Sequence, residues 1–264
     1  MTRFASLASG SSGNSAVYVS ERACILIDAG TNTKYIRNAL ATLGLSPADL
    51  THVLVTHTHT DHISALPVLM KHTRASLLCT HTAAPALARS VPDRSVICPF
   101  TEGDTLALGD VCVTGLATPH DSEGSCCYLL GEGERRVAYC TDLGCMPHSL
   151  LNAMLGAPVV FLESNHDLRM LREGPYPYFL KKRILSERGH LSNLECAETA
   201  VELARAGMNT LLLAHLSEEN NTPGAAQRES ERQLAQAGFG AVSVTVAPRG
   251  EPSAPVSLGV RCAV

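Results

Sequence analysis

His57-Thr58-His59-Thr60-Asp61-His62 places three imidazoles and a carboxylate within six residues, directly after the apolar run Val53-Leu54-Val55. Imidazole and carboxylate groups suit zinc, manganese or iron. One cation would use two of these side chains. Four at this density point to two cations side by side, because a tight turn aims alternate side chains in different directions. The same arrangement recurs along the chain, with a ligand-type residue closing an apolar strand-like run. Asp28 follows Ile25-Leu26-Ile27, and His120 follows the run 113–118. Asp142 follows Val137-Ala138-Tyr139-Cys140, and His215 follows Leu211-Leu212-Leu213-Ala214. Strand ends are rigid anchors, so side chains mounted there are held to the tolerance that metal chemistry needs.

Working outward from these anchors, short apolar runs alternate with helical spacing throughout. Strands are expected at 4–8, 16–19, 24–27 and 53–56, then at 77–79, 96–98, 105–108, 111–117, 126–130 and 136–140. Later strands are expected at 159–162, 210–214 and 241–246. Helices are expected at 32–43, stopped by Gly44, and at 83–90, with Thr82 as N-cap. A helix over 194–206 carries a Ser192/Glu195 capping box and stops at Gly207. Another opens at Thr222-Pro223 and ends near Gly238. Strands and helices in both halves, without an obvious linker, predict one α/β domain over 1–264 with sheets covered by helices.

The composition narrows the class. Hydrophobic residues make up 45% of the 264, enough for a core, but aromatics are 4% and tryptophan is absent, so that core must be aliphatic. A net charge of −4 supplies no global field for nucleic acid, so any such binding must rest on a local patch. The ten cysteines include no CxxC pair and mostly sit in apolar runs, where a thiol behaves as a small hydrophobe. With no charged region followed by an apolar stretch at the N-terminus, the expectation is reduced thiols in a cytoplasmic protein. No apolar run reaches the length of a membrane span. His52, His72 and His81 stand alone and are read as surface or core residues.

Taken together, Asp28, the HxHxDH cluster, His120, Asp142 and His215 resemble the metallo-β-lactamase superfamily, with all five motifs in order over nearly the whole chain. The resemblance implies a four-layer αββα sandwich, two mixed sheets flanked by helices, around two divalent metal ions. It implies that His57, His59 and His120 hold one metal, that Asp61, His62 and His215 hold the other, and that Asp142 bridges them. Asp28 would support the ligand loop from behind. Zinc or manganese is expected, with iron a third candidate. Only 72 residues separate Asp142 from His215, too few for the large insertion of the β-CASP nucleases.

Two adjacent metals activate water and polarise a phosphoryl or carbonyl oxygen, so the reaction class is hydrolysis, with Asp61 placed to orient or deprotonate the water. Three features favour a phosphodiester. The bridging aspartate resembles the phosphodiesterase branches, whereas enzymes that open β-lactams commonly lack one. His190, 25 positions before His215, resembles the ribonuclease Z-like histidine that contacts the scissile phosphate and protonates the leaving oxygen. The helix after Ser192 also offers N–H groups and a positive dipole end to a phosphate. Finally, 169–188 gathers Arg169, Arg172, Lys181, Lys182, Arg183 and Arg188 with Tyr176, Tyr178 and Phe179 interleaved. This stripe reads equally as a nucleic-acid grip or as a solvated amphipathic helix.

The segments 7–15, 163–167 and 189–193 together resemble the narrower YycJ/WalJ-like branch. That likeness implies a 5′-3′ DNA exonuclease, with DNA favoured over RNA. Ser11, His166, His190 and Ser192 are then the expected substrate contacts, although the Ser/Gly turn around Ser11 reads equally as a plain hairpin turn. A small-molecule phosphodiesterase is the alternative. Thioester or lactam hydrolysis, or a non-catalytic metal-binding regulator, fits less well. Oligomeric state is not legible.

Overall fold

The computed structural model describes residues 1–259; Cys262, counted above among the reduced thiols, lies outside them. The strands make two mixed sheets of seven with helices beside them, the α/β class expected. Backbone contacts group the chain into two compact units.

The first unit comprises, of the described residues, Met1–Ala117, Ser122–Arg135 and 248–259. Its large sheet contains β1 (Thr2–Ala8), β2 (Ser15–Val19), β3 (Cys24–Ile27), β4 (His52–Leu54), β5 (Ser76–Thr80), β6 (Ile97–Phe100) and β14 (Val256–Leu258). Their order is β14-β1-β2-β3-β4-β5-β6. The first four are antiparallel neighbours, and β3 to β6 run parallel. Strands covered on both faces read as unbroken apolar runs, which is why 25–27 and 53–55 lack alternation. Pro99 sits in β6 at the edge of the sheet, where a missing N–H breaks no ladder. A second set, β7 (Thr105–Leu108), β8 (Val111–Ala117) and β9 (Cys126–Leu130), forms an antiparallel meander.

Helix α1 (Thr33–Thr42) is capped by Asn32, whose side chain accepts the Tyr35 N–H, and Gly44 follows with φ +73°. The short helices α2 (Thr60–Ile63), α3 (Leu66–Leu69) and α4 (Ala84–Leu87) complete the unit. Pro67 and Pro85 each lie in a first turn, where no donor is lost. Helix α4 is shorter than expected, and Thr82 does not cap it. The Thr80 hydroxyl accepts the Ala83 N–H instead, and Ala83 is the N-cap. Leu26, Ile36, Leu40, Val53, Leu66 and Leu77 are fully buried in an aliphatic cluster, but the core is not aliphatic throughout, since Phe4, Tyr18 and Tyr128 are buried as well.

The second unit comprises Thr118–Asp121 and Arg136–Ala247. Four strands, β10 (Val137–Cys140), β11 (Val159–Glu163), β12 (Thr210–Ala214) and β13 (Ser243–Val246), run parallel in the order β13-β12-β11-β10. Five helices accompany them: α5 (His148–Met154), α6 (Leu168–Glu173), α7 (Tyr178–Ile184), α8 (Asn193–Arg205) and α9 (Pro223–Gln236). The Ser192/Glu195 capping box on α8 is present as the sequence predicts, and Thr222 caps α9. Helix α5 has no counterpart among the expected elements, because at barely two turns it falls below the window in which helical spacing is visible, whereas the stretch 169–188 is helical in two short pieces, α6 and α7. The nine described cysteines are unpaired as expected, although Cys98 is exposed and Cys112 and Cys145 are half-buried.

Candidate metal centre

In the first unit, β3 and β4 are parallel neighbours in the register Ile27↔Leu54. Asp28 and His57 therefore leave the sheet from the same edge. Asp28 is completely buried. Its carboxylate accepts the Thr56 N–H at 2.9 Å and the Thr56 hydroxyl, and it lies 2.8 Å from His62 Nδ1. That contact places the Nδ1 proton of His62 against Asp28 and turns Nε2 to the other side, as ligating histidines are normally held. His57 Nδ1 meets the Thr56 hydroxyl at 3.0 Å, while its Nε2 lies 3.1 Å from His59 Nδ1. Two imidazole nitrogens that close are chemically suited to sharing a cation. Asp61 Oδ2 stands 3.5 Å from His62 Nε2.

Asn14 joins this loop to the Ser/Gly turn. Its side chain accepts the Gly10 N–H, donates to Asp61 Oδ2 at 3.3 Å, and lies 3.0 Å from His62 Nε2. The sequence reading quoted Asn14 within a motif but gave it no role. Ser11, at the tip of the same turn, is exposed. Gly30 is the tightest point, since a Cβ there would stand 1.5 Å from the Asp61 carbonyl oxygen and 2.7 Å from Asn14 N. Backbone on both sides leaves no flexible neighbour to yield. Gly30→Ala should therefore cost about 3 kcal/mol or more. In thermal denaturation this is a drop in Tm of roughly 6 °C or more.

In the second unit, β10, β11 and β12 end along one edge, in the registers Cys140↔Leu162 and Glu163↔Ala214. Asp142, Glu163 and His215 emerge there, joined by His190. Each of these four offers an atom within 4.8 Å of the others. Asp142 Oδ1 lies 2.9 Å from His215 Nδ1. Glu163, completely buried, lies 2.7 Å from His190 Nδ1 through Oε1 and accepts the Leu143 and Leu191 N–H groups through Oε2. His120 Nδ1 is 3.2 Å from the Gly189 carbonyl, which directs Nε2 towards Asp142 Oδ1 at 3.9 Å. The Arg188 guanidinium donates to the His120 carbonyl.

Asp28, Asp142 and His215 are the non-glycine residues with left-handed backbone among the described residues, at φ 59°, 60° and 52°. Such conformations are uncommon outside glycine and persist where the surroundings over-determine them. All three are positions that the sequence reading had marked.

The charges in the second unit are strongly coupled. Burial alone would raise the Glu163 carboxyl, but His190 and the hydrogen bonds from His190 and His215 outweigh it and hold the group at about 2. Burial alone would lower His190, yet the Glu163 carboxylate and Asp142 bring it above the ordinary histidine value. His215 is raised in the same way by Asp142 and Glu163 against burial. His120 is lowered by burial, only partly countered by Asp142.

His166 is almost wholly buried, neither ring nitrogen has a hydrogen-bond partner among the described residues, and burial pushes its pKa down to about 4. Ser192 is not open to a ligand in the way expected. Its hydroxyl and N–H both engage Glu195, and the Asn193 N–H donates to the His166 carbonyl. The anticipated spare donors at this helix start are thus used internally, at Ser192 by the capping box and at Asn193 by the His166 carbonyl.

Glu163 is the residue that the sequence reading missed. It closes the apolar run Val159-Val160-Phe161-Leu162 just as Asp28 and Asp142 close theirs, so the same rule would have found it.

A family model described as "Metallo-beta-lactamase superfamily" matches residues 8–215, a span that contains Asp28, the 57–62 cluster, His120, Asp142, Glu163, His190 and His215. The chain belongs to the metallo-β-lactamase superfamily. It is accordingly a metal-dependent hydrolase of that α/β fold, and its histidine and aspartate clusters suit a dinuclear divalent-metal site.

Within the superfamily, the chain is 34% identical over 242 residues to a protein of Streptococcus pneumoniae named exodeoxyribonuclease WalJ, covering 90% of each. It is 33% identical over 241 residues to Bacillus anthracis exodeoxyribonuclease YycJ, again covering 90% of each. The YycJ/WalJ-like branch expected from the motifs is the one to which it is similar. A solved metallo-β-lactamase-fold protein, YhfI from Bacillus subtilis, matches with a TM-score of 0.74 over 96% of this chain and 99% of its own, at 17% identity. No helix among the described residues is long and apolar enough to cross a membrane.

Proposed function

We propose that this metallo-β-lactamase superfamily member is a dinuclear-metal-dependent nuclease that removes nucleotides from DNA in the 5′-3′ direction, within the cytoplasm. The sequence identity to proteins named exodeoxyribonucleases, extending over nine-tenths of both chains, supports the substrate class. The observation that carries the chemistry is the buried Glu163 carboxylate 2.7 Å from His190, beside Asp142 and His215. The carboxylate fixes the imidazole and favours its protonated form, so that the other nitrogen carries the proton a departing alkoxide needs.

In this reading the metal ligands are the residues that the sequence pattern marks. His57, His59 and His120 would hold one metal, Asp61, His62 and His215 would hold the other, and Asp142 would serve both. Asp28 keeps His62 oriented. Two divalent cations, zinc or manganese, supply water activation and neutralise charge on the phosphoryl oxygens. Asp61 orients the attacking water, and His190 gives its proton to the leaving oxygen. Ser11 contacts the strand, the buried His166 holds the start of α8 through its carbonyl, and Ser192 acts through its cap, which fixes the chain two residues beyond His190.

The test is digestion of 5′- and 3′-end-labelled DNA and RNA by metal-reconstituted protein, with bis-p-nitrophenyl phosphate alongside. Stepwise release of mononucleotides from the DNA 5′ end is expected. Turnover of bis-p-nitrophenyl phosphate with both polymers left intact would replace the nuclease by a small-molecule phosphodiesterase.

A further inference from the structure

The basic and aromatic stripe singled out in the sequence becomes α6, α7 and the loop between them. At the start of α7, Tyr178 is 80% exposed and Phe179 is 74% exposed. The chain has only eleven phenylalanines and tyrosines and no tryptophan, so leaving two of the largest side chains adjacent in solvent requires a reason. Aromatic rings each carry a large apolar area that favours burial against a partner.

The surrounding charges are sorted. The Lys181 ammonium donates to the carbonyls of Arg172 and Gly174, which pins α7 to the end of α6. Arg183 pairs with Asp121. The side chains of Arg169, Arg172 and Lys182 are exposed and make no hydrogen bond or ion pair among the described residues.

The platform is also anchored to the catalytic loops. Asp121, the partner of Arg183, directly follows His120, and the His190 N–H donates to Ile184 O at the end of α7. The first helical turn bearing the exposed rings is therefore fixed to the same segment that positions His190.

We propose that Tyr178 and Phe179 are a stacking platform for unpaired bases of a nucleic-acid strand, with Arg169, Arg172 and Lys182 taking its phosphates. This deepens the nuclease reading and rests on it. Two aromatic faces interleaved with unneutralised cations complement a polymer that alternates flat π-faces with phosphates. Consecutive helical positions also point about 100° apart, which suits two splayed bases better than one flat apolar surface.

The absence of tryptophan supplies the probe. Phe179→Trp, in the full chain carrying Asp142→Asn to prevent digestion, places a single indole in the platform. Its fluorescence is followed against a single-stranded oligodeoxynucleotide, an abasic oligonucleotide of equal length and charge, and anionic phosphatidylglycerol vesicles. Saturable quenching by the base-bearing strand is expected, with the abasic strand binding about tenfold more weakly and quenching little. Tyr178→Ala with Phe179→Ala should weaken single-strand binding by about tenfold or more. Equal binding of both strands, quenching by vesicles alone, or an indole already buried by self-association in sedimentation would overturn the platform. Base-independent binding by a protein that still digests DNA rejects the platform and leaves the nuclease. Base-dependent quenching without any digestion by the Asp142 parent keeps the platform and rejects the nuclease.

Discussion

Asp142→Asn is expected to lower phosphodiester hydrolysis by about a thousandfold or more without unfolding the protein. The substitution separates charge from backbone. Asp142 has φ 60°, a conformation that asparagine adopts more readily than other side chains, so the loop after β10 keeps its course. What is lost is one negative charge in direct contact with His215, 2.9 Å away. In the proposed centre that charge would help to hold the cations. A contribution of several kcal/mol to transition-state charge stabilisation corresponds to three or more decades in rate. Elemental analysis should show metal content falling below two per chain, and circular dichroism should be unchanged. Near-normal turnover with full metal content would remove Asp142 from the centre. Asp142→Ala is the poorer experiment, because alanine adds backbone strain to the loss of charge.

His190→Ala should lower turnover of DNA by roughly a hundredfold to ten-thousandfold, with metal content retained. His190 is fixed by Glu163 and is 22% exposed at its side chain, so it is reachable from solvent while one nitrogen is committed. If it donates a proton to the leaving oxygen, the defect must depend on how much the leaving group needs one. A p-nitrophenyl ester leaves as a stable anion and should be far less affected than DNA, with the loss falling on kcat rather than KM. An equal loss on both substrates would mean that His190 serves binding or metal retention instead. Glu163→Gln tests the positioning role. It should share the DNA-selective defect at smaller size and move the alkaline limb of the pH profile to lower pH, because the reaction needs His190 protonated and the carboxylate that raises it is gone.

Much of this was legible in the residues. A run such as Ile25-Leu26-Ile27 followed by a carboxylate can be read without coordinates, because a strand buried on both faces admits no polar residue until it leaves the sheet. Asp28, His57, Asp142 and His215 all obey that rule, and each emerges from a strand end in the structure. The capping box at Ser192/Glu195 was equally readable, being a local exchange of two hydrogen bonds over three residues. Glu163 obeyed the same strand-end rule but lay inside a segment read for its motif, and its importance shows only once His190, Leu143 and Leu191 are seen to share its two oxygens.

The sequence by itself determined the superfamily, the strand-end anchors and the ligand types, because these follow from hydrophobic runs and from the donor chemistry of single side chains. Only tertiary structure decided which donors are already committed. Asn14 spans 47 residues to reach Asp61. The His120 ring is oriented by a carbonyl 69 residues away. The N–H groups at Ser192 and Asn193 prove to be used internally. The two readings of the basic stripe also stayed balanced until exposure was known, since amphipathic spacing cannot say whether an aromatic ring is covered. Hydrogen-bond partners and burial are set by segments far apart in the chain, and no local pattern encodes them.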